Sequence, residues 1–420
     1  MARTRGNTSE IITGLDIGST GIRVAVGQYT EDQSGTADLQ IIGTAEVGSS
    51  GIQKGVIVSI EEAVSAVSHV LEEAERLIGV PIEHGWVGIS GTQILSQGSR
   101  GVVAVAKSDG EISGEDVMRV IDAAQTVAAP LNYEVLHVLP KHFTVDGQMG
   151  LKDPVGMTGV RLEVDAQIIY GATPYIKNVT KAIYRTGIEI DDLVVSILAT
   201  ADVVATQKQK ELGVVVVDIG GSTTSVVVYE EGNSIHMGMI PIGSNHITND
   251  LALGLQTPIE VAERLKIAYG DCLPHDIKKQ EMIDLSEFGA SAEVVSKKFV
   301  AEIIYARVSE LLDKVNEELT KINRQALLPA GVLFTGGGAK LHGLIDVARE
   351  QLQMNAAYGF PRGLRSATEK INDLSYTPAI GLVSWGALSR DRGASVSRIR
   401  IPGGGDIGNR VKKLFKFLIP

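Results

Sequence analysis

The sequence has a single cysteine among its 420 residues, Cys272, so no disulfide can form within the chain. One thiol in a chain of this length is typical of a reducing compartment such as the cytoplasm. No stretch reaches the roughly 20 apolar residues that a bilayer-spanning helix needs, and residues 1–10 lack the apolar segment of a signal peptide. We therefore expect neither a membrane span nor a secretion signal.

Aromatic residues are also scarce, at 5%, although hydrophobic residues reach 44% of the sequence. The cores are therefore expected to be aliphatic, as in α/β proteins. Positive charge is in deficit, with a net charge of -11, which disfavours a nucleic-acid partner. Glycine, by contrast, is abundant at 47 residues and predicts many tight turns between strands and helices.

One pattern occurs twice in the chain. Residues 11–26 read IITGLDIGSTGIRVAV, and residues 214–229 read VVVVDIGGSTTSVVVY. Each copy is an apolar run, an Asp-Ile-Gly turn with small hydroxyl residues, and a second apolar run, which predicts strand, tight turn and strand. A single copy is explained well by an ordinary hairpin turn, because Asp and Gly are standard turn residues. Two copies with equivalent flanks favour a pair of binding loops.

Both turns suit a phosphate chain with a divalent cation. Glycine lets the backbone approach phosphate oxygens, and exposed N–H groups in such turns form an anion-binding nest. A carboxylate at the end of a strand can hold Mg²⁺, partly through water. The predicted magnesium ligands are Asp16 and Asp218. The predicted phosphate-binding residues are Gly18, Ser19, Thr20 and Arg23 in the first turn and Gly220, Gly221, Ser222 and Thr223 in the second.

A third glycine-rich turn, LFTGGGAKLHGL at residues 333–344, joins a predicted strand to a predicted helix. Its flat backbone and the helix N-terminus can contact a nucleoside or a phosphate. The candidate residues are Gly336, Gly337, Gly338 and Lys340. A plain strand–helix turn explains this motif equally well when it stands alone. The chain has no GxxxxGK[ST] loop, and this turn lacks the spacing of a dinucleotide fingerprint.

Two Asp-Ile-Gly turns followed by Thr-Gly-Gly-Gly resemble the two phosphate motifs and the adenosine motif of the superfamily of actin, sugar kinases and heat-shock-chaperone ATPases. The resemblance implies an α/β, actin-like two-lobed fold of duplicated ribonuclease-H-like domains, with ATP and Mg²⁺ between the lobes. It also implies that Glu263 and Lys266 in the stretch AERLK touch the ribose. A surface charge pair at i,i+3 explains these two residues nearly as well. Residues 378–383 resemble the second connecting helix, in which Gly381 would permit a close helix crossing.

Within that superfamily the chain most resembles the FtsA family of bacterial cell-division proteins, over nearly its whole length. VLHVLP at residues 135–140 and DPVGMTGVR at 153–161 match a subdomain that this family carries in place of one found in actin. The implied organisation is a disordered tail at 1–10, a first lobe at 11–85 and 166–200 with 375–388, an inserted subdomain at 86–165, a second lobe at 201–388 with a helical insertion at 248–325, a linker at 389–409 and a terminal helix at 410–420.

The resemblance implies a protein that polymerises on the cytoplasmic face of the cell membrane, anchors the tubulin-like protein FtsZ there and contacts other division proteins. It suggests a partner surface within residues 248–323. A pilus-assembly scaffold like PilM is the nearer alternative. A sugar-kinase-type phosphotransferase is more remote, because it would need a catalytic Asp aimed at a substrate hydroxyl, and none stands out in the sequence.

The terminal segment, residues 410–420, predicts an amphipathic helix. Val411, Leu414, Phe415 and Leu418 recur at helical spacing, and Lys412, Lys413 and Lys416 add positive charge with no acid beside them. Such a helix is about 15 Å long and too short to span a bilayer. We predict that it lies in the plane of an anionic membrane at the end of a Gly-, Ser- and Arg-rich linker. The alternative is a helix docked on the protein itself or in a partner's groove.

ATP turnover is the open question. The resemblance implies that the first connecting helix would place a carboxylate or amide near the attacking water. The matching stretch, residues 195–202, has no acid at its beginning, and Asp202 lies further along. Loss of a general base costs about 10²- to 10⁴-fold in rate. We therefore expect tight ATP binding with slow or absent turnover.

Overall fold

The computed structural model describes residues 8–31, 37–126, 130–289 and 294–391. The first elements along the chain are β1 (Thr8–Ile17), β2 (Gly21–Glu31), β3 (Ala37–Gly48), β4 (Ile52–Gln53), β5 (Val56–Ile57), α1 (Ile60–Ile78) and β6 (His84–Ile89). β1 pairs with β2 from Thr8 onwards. The prediction of a disordered tail is therefore wrong for residues 8–10, because the neighbouring strand supplies partners for their backbone groups.

A separate antiparallel sheet follows, with α2 packed on it. Its elements are β7 (Ile94–Ala104), α2 (Gly114–Gln125), β8 (Tyr133–Val145), β9 (Gln148–Leu151) and β10 (Arg161–Ala172). The predicted bounds of this inserted subdomain, 86–165, are wrong at both ends. Residues 86–88 pair with β1 in the first lobe, and β10 keeps its pairing with β8 as far as Ala172. Because pairing and not chain position assigns a strand, the inserted sheet spans residues 94–172.

The chain then returns to the first lobe and continues into the second. The remaining elements are α3 (Thr173–Tyr184), β11 (Glu189–Val195), α4 (Ser196–Val204), α5 (Gln207–Leu212), β12 (Val214–Ile219), β13 (Thr224–Glu230), β14 (Asn233–Ile240), α6 (Ser244–Gly254), α7 (Ile259–Tyr269), β15 (Met282–Asp284), β16 (Val294–Ser296), α8 (Lys297–Thr320), β17 (Val332–Thr335), α9 (Leu344–Leu352), β18 (Ala356–Tyr358), β19 (Arg365–Ser366) and α10 (Thr377–Asp391).

The two large sheets repeat one topology. The first has the order β11-β6-β1-β2-β3, with β19 added at the β3 edge, and the second has the order β18-β17-β12-β13-β14. In each, three antiparallel strands are followed by two parallel ones. This repeat is the predicted duplication. The turn after β1 in the first sheet and the turn after β12 in the second occupy equivalent positions.

Two helices join the halves. α4 follows directly from β11, and α10 packs against α4, β1, β2 and β6. α10 extends to Asp391, so the linker predicted from residue 389 begins too early, since the helical hydrogen bonding continues past that point. The rest of the predicted linker and the predicted terminal helix at 410–420 lie outside the described residues.

The predicted helical insertion contains α6, α7, the β15–β16 hairpin and α8. α6 packs against both α7 and α8, and Val300, Ile304 and Leu311 of α8 contribute to the core of the second lobe. Within the described ranges, no helix is long and apolar enough to cross a membrane.

Candidate functional site

The two Asp-Ile-Gly turns have the same internal geometry. In the first loop, residues 18–20, the N–H of Gly18 donates to the carbonyl of Gly21 at 3.2 Å. In the second loop, residues 220–223, the N–H of Gly220 donates to the carbonyl of Thr223 at 2.9 Å. The sequence repeat therefore corresponds to a repeated three-dimensional turn after β1 and after β12.

The carbonyl groups of both loops are held by neighbouring segments. Ser49 donates its hydroxyl to the Gly18 carbonyl at 2.8 Å and its N–H to the Thr20 carbonyl at 3.2 Å. At the start of α6, the Ser244 and Asn245 N–H groups donate to the Gly220 and Gly221 carbonyls at 2.9 and 2.7 Å. Each loop is thus held in place by hydrogen bonds to its carbonyl oxygens.

Several backbone N–H groups of the two loops, in contrast, have no hydrogen-bond acceptor among the described residues. Within the part of the chain that the structure describes, no hydrogen bond is made by the backbone N–H groups of Ser19, Thr20, Gly221 and Ser222. Loops with occupied carbonyls and unpaired N–H groups present concentrated positive potential, which suits an anion with several oxygens.

The loops face each other across one cleft. A Cβ atom added at Gly221 would clash with the Thr20 side chain, so the second loop approaches the first closely only because it has glycine there. The empty space at the cleft, including solvent at its mouth, is about 510 Å³. It is lined by Asp16, Gly18, Ser19, Thr20, Arg23, Ser90, Asp218, Gly220, Gly221, Ser222, Thr223, Ser225, Gly336, Gly337, Ser375 and Pro378. Residues predicted separately from three distant turns therefore share one site.

Two carboxylates stand in this cleft, one from each lobe. Asp16 is buried and accepts a hydrogen bond from the Ser196 hydroxyl at 3.2 Å. Burial raises the pKa of Asp16, although Arg23 and Ser196 oppose the shift. Burial and the charge of Asp16 raise the pKa of Asp218 to about 7, with Arg23 again opposing. The two acids therefore repel one another, and a divalent cation between them would relieve that repulsion.

The donor set fits Mg²⁺ bound together with a phosphate chain. Mg²⁺ in nucleotide sites is commonly held by one or two carboxylates, several waters and the phosphate oxygens themselves. Among the described residues no group of three or more potential ligand side chains comes together, so Asp16 and Asp218 would need water and phosphate to complete the coordination. The unpaired loop N–H groups supply the matching contacts for the phosphate.

Among the described residues that line the cleft, Arg23 is the one Lys or Arg side chain. It is largely buried, and its Nε atom has no hydrogen-bond partner within the described chain. Although Nη2 pairs with Glu46, a buried N–H donor such as Nε is costly unless a ligand or water meets it. Arg23 therefore fits a phosphate oxygen as its acceptor.

The third glycine turn closes the cleft from the second lobe. Gly336 has φ 85, and a Cβ there would clash with the Asp218 carboxylate. The flat backbone of Gly337 has open space on its free side, since an added Cβ would meet only Ser375 Oγ at 3.9 Å. This turn can thus accept a nucleoside beside the carboxylate pair.

Four predicted contact residues do not line the cleft, namely Gly338 and Lys340 in the third glycine turn and Glu263 and Lys266 on α7. Gly338 is buried, and a Cβ there would clash with the Ile219 side chain, which makes it a packing glycine. The Lys340 ammonium pairs with Asp373. Both therefore have a structural explanation in the same turn.

Glu263 and Lys266 join α7 to α6. Lys266 Nζ donates to Glu263 at 2.7 Å, to the Thr248 hydroxyl at 2.8 Å and to the Ser244 carbonyl at 3.2 Å. The Lys266 side chain is only 8% exposed, so it is more than a surface charge pair. Its bond to Ser244 reaches the helix start that holds the second loop.

Sequence reasoning missed Ser90, Ser196, Ser225, Ser375 and Pro378, which complete the cleft or bind its carboxylates. Ser225 had a usable signal, because it lies opposite Asp218 in the hairpin register as Arg23 lies opposite Asp16. The others are brought in by tertiary packing. Asp202 is absent from the cleft lining and pairs with Lys210, whose Nζ lies 4.8 Å from the Tyr229 ring centroid.

Comparison with known proteins gives consistent matches. The family model described as "Cell division protein FtsA" matches residues 215–381, and "SHS2 domain inserted in FTSA" matches residues 91–170. Cell division protein FtsA of Pseudomonas aeruginosa is 36% identical over 391 residues, covering 93% of this chain and 92% of that protein. The Escherichia coli K12 protein of the same name is 31% identical over 417 residues, covering 97% of each.

Solved structures are similar in fold at low identity. A PilM-PilN type IV pilus biogenesis complex matches with a TM-score of 0.66 and 15% identity, covering 89% of this chain and 98% of that chain. MreB5 of Spiroplasma citri bound to ADP matches with a TM-score of 0.50 and 12% identity, covering 91% and 98%. With the duplicated sheets and the inserted unit, these matches establish an actin-like two-lobed fold.

Proposed function

Because this chain belongs to the FtsA family of cell-division proteins, we propose that it is an ATP-binding filament subunit that anchors FtsZ to the cell membrane. The cleft between two duplicated loops is the observation that carries the nucleotide part of this proposal. Anchoring rests on the family together with the basic amphipathic pattern at residues 410–420.

ATP with Mg²⁺ is the ligand that the cleft suits best. Gly18, Ser19, Thr20 and Arg23 would hold the phosphates from one side, and residues 220–223 from the other. Asp16 and Asp218 would face the metal ion, which supplies charge neutralisation of the phosphates when bound. The turn at Gly336 and Gly337 would receive the nucleoside, and closure of the lobes on this ligand would favour filament contacts.

Turnover of ATP is proposed to be slow or absent. The start of α4 presents the Ser196 hydroxyl to Asp16, and a hydroxyl is a weak base compared with a carboxylate. The acid further along the same helix, Asp202, is engaged by Lys210. The nucleotide would then act chiefly on conformation and assembly.

Membrane attachment on the cytoplasmic side is assigned to the terminal residues. Lysines beside an anionic leaflet contribute about 1 kcal/mol each, and buried apolar side chains add to this. A single tail of this size binds reversibly, so polymerisation would strengthen attachment through avidity.

FtsZ is proposed to bind the insertion at residues 248–323. Leu253 on α6 and Ile267 on α7 are exposed apolar side chains, 78% and 75% accessible, and exposed apolar side chains can serve as anchors for a partner. Other division proteins would use the remaining surface.

A pilus scaffold is the alternative with an observation behind it, namely the structural match to the PilM-PilN complex. At 15% identity that match concerns the fold. Parallel pull-downs with FtsZ and with a peptide from a pilus inner-membrane protein separate the two roles. Phosphoryl transfer from ATP to a sugar panel tests the more remote kinase alternative.

The decisive experiment is co-sedimentation of FtsZ with anionic phospholipid vesicles in the presence of this protein, with and without ATP. We expect FtsZ in the pellet only when the full chain is present, and more of it with ATP. A chain ending at residue 409 should leave FtsZ in the supernatant. If the full chain pellets with vesicles while FtsZ stays in solution, the anchoring role is wrong.

A further inference from the structure

Three charged side chains form a row across the first sheet. Asp16 on β1 lies opposite Arg23 on β2, and Arg23 lies opposite Glu46 on β3. Side chains of directly opposed residues in antiparallel strands share a face of the sheet and interact. The row therefore reads acid, base, acid, with Asp16 and Arg23 among the residues that line the cleft and Glu46 outside that lining.

The second lobe has no such row, although the sheets are duplicates. There Asp218 lies opposite Ser225, and Ser225 lies opposite Met239. The cation and its outer acid belong to one half only. Shared ancestry of the two turns does not account for them, so the Arg23–Glu46 pair needs an explanation of its own.

Arg23 is only partly satisfied by this pair. Its Nη2 atom donates to Glu46 Oε1 at 2.5 Å, while its Nε has no partner within the described residues. The Glu46 side chain is 36% exposed against 15% for Arg23. Solvent therefore screens the pair from the Glu46 side, and a multiply charged anion inside the cleft can compete for the guanidinium.

Glu46 has a second contact, which leads out of the first lobe. Burial and the neighbouring Glu46 carboxylate raise the pKa of Tyr376, which places its hydroxyl beside Glu46, and the Arg23 guanidinium lies 6.0 Å from the Tyr376 ring centroid. Tyr376 comes immediately before Thr377, the first residue of α10. The side chain that pairs with Arg23 thus also contacts the start of the connecting helix.

The backbone beside Tyr376 is bound to the second lobe. The Leu374 carbonyl accepts the Gly336 N–H at 3.2 Å and the Thr335 hydroxyl at 3.5 Å. Ser375, between Leu374 and Tyr376, lines the cleft. Residues 374–376 therefore connect Glu46 on one lobe with the glycine turn on the other.

We propose that Arg23 is a phosphate-responsive switch, for which Glu46 and a nucleoside polyphosphate in the cleft compete. When the phosphate binds Arg23, Glu46 loses that pair and keeps only its contact with Tyr376. Residues 374–376 then change position at the start of α10. Glu46 acts as a positioning residue. It lowers nucleotide affinity, and it couples nucleotide binding in the cleft to the conformation at the start of α10. This inference rests on the proposed binding of ATP.

A double-mutant cycle tests the competition. Calorimetric titration with ATP, ADP and AMP compares the wild type, Glu46→Gln, Arg23→Gln and the double variant. Glu46→Gln should raise ATP affinity by about three- to tenfold, because it weakens the charge-assisted hydrogen bond from Arg23 that competes with the phosphate. The gain should shrink from ATP to AMP, and it should vanish when Arg23 is already replaced.

Two further variants separate this role from a general charge effect. Glu230→Gln breaks an Arg–Glu pair of similar kind, with Arg324, at a site that does not line the cleft, and should leave ATP affinity unchanged. Tyr376→Phe keeps the ring, removes the hydroxyl that lies beside Glu46 and should alter hydrogen exchange at the start of α10 on ATP binding.

The outcomes are distinguishable. A gain from Glu46→Gln that persists without Arg23 would mean simple removal of a negative charge and would overturn the switch, as would no gain at all. Identical exchange behaviour in Tyr376→Phe would overturn the link to α10. Failure of the wild type to bind ATP would instead overturn the proposed function and this inference with it.

Discussion

Gly381 on α10 lies against the backbone of Ala199 on α4, so closely that a Cβ atom at Gly381 would be 2.5 Å from the Ala199 carbonyl oxygen. The helices that join the lobes therefore cross with backbone in contact. This is the close helix crossing that the family resemblance implies at Gly381, and it leaves no room for an added side chain between α10 and α4.

Gly381→Ala should accordingly destabilise the protein by about 1–3 kcal/mol, because extra volume in a packed crossing forces the helices apart. Thermal unfolding measures the loss, and titration with ATP shows whether the cleft still closes. Gly114→Ala is the matched control, since an added Cβ at Gly114, the first residue of α2, has nothing within 4 Å. Equal stability of the two variants would contradict the close crossing.

Asp218→Asn should weaken ATP binding by about tenfold or more in the presence of Mg²⁺, equivalent to at least about 1.4 kcal/mol. The amide keeps the shape of the side chain but loses the charge that would face the metal. Titration in Mg²⁺ and in EDTA measures the effect. In EDTA the variant should bind ATP at least as well as the wild type, since one repelling charge beside the phosphates is gone. A loss of the same size in both conditions would argue against a metal role.

Asp202→Asn should leave ATP turnover unchanged, because Asp202 is tied to Lys210 and does not line the cleft. The variant should instead lose stability, since the Lys210 side chain is only 10% exposed and would keep its charge without a carboxylate partner. Steady-state phosphate release and chemical unfolding measure the two effects. Slower phosphate release with intact stability would place Asp202 near the reaction.

Comparison of two serines shows how far the sequence predicts this site. Ser225 could have been found from the hairpin alone, because it lies opposite Asp218 in a register that a tight turn fixes locally. Ser196 could not, because it reaches Asp16 across 180 residues through the docking of α4 on the first sheet. The duplicated loops and both lobes follow from local patterns, whereas the donors that come from connecting helices depend on tertiary packing.

The bounds of the inserted unit also depend on tertiary structure. Residues 84–89 and 94–104 are both strands, and their patterns do not say which sheet each joins. Trp86 enters the first lobe because it pairs with Gly14 on β1. The sheet that each strand joins is therefore set by long-range pairing, which the local pattern does not encode.

His137 predicts a pH dependence of stability. It is 3% exposed, accepts the Val195 N–H at 3.1 Å through Nε2 and stacks edge-on with Trp385. Burial lowers the pKa of His137 to about 4. The unfolded chain takes up a proton below about pH 6.5 while the folded chain stays neutral, so stability falls as pH drops from about 6.5 to about 4.

The expected loss is about 2 kcal/mol between pH 7 and pH 5 from this group. Chemical unfolding at both pH values measures it, with His137→Gln as the comparison because the amide retains an acceptor for the Val195 N–H. The variant should lose less stability than the wild type over this interval. An equal loss would mean that other groups set the pH dependence.

Leu414→Glu should abolish binding to anionic vesicles, because it places a charge in the predicted apolar stripe of residues 410–420. The expected loss exceeds that from Lys412→Gln, which removes about 1 kcal/mol of attraction to the lipid surface and should shift binding to lower salt. Vesicle sedimentation over a salt series separates the two terms. If Leu414→Glu still binds while Lys412→Gln does not, attachment is electrostatic and the amphipathic-helix prediction fails; if neither changes binding, the membrane contact lies elsewhere in the chain.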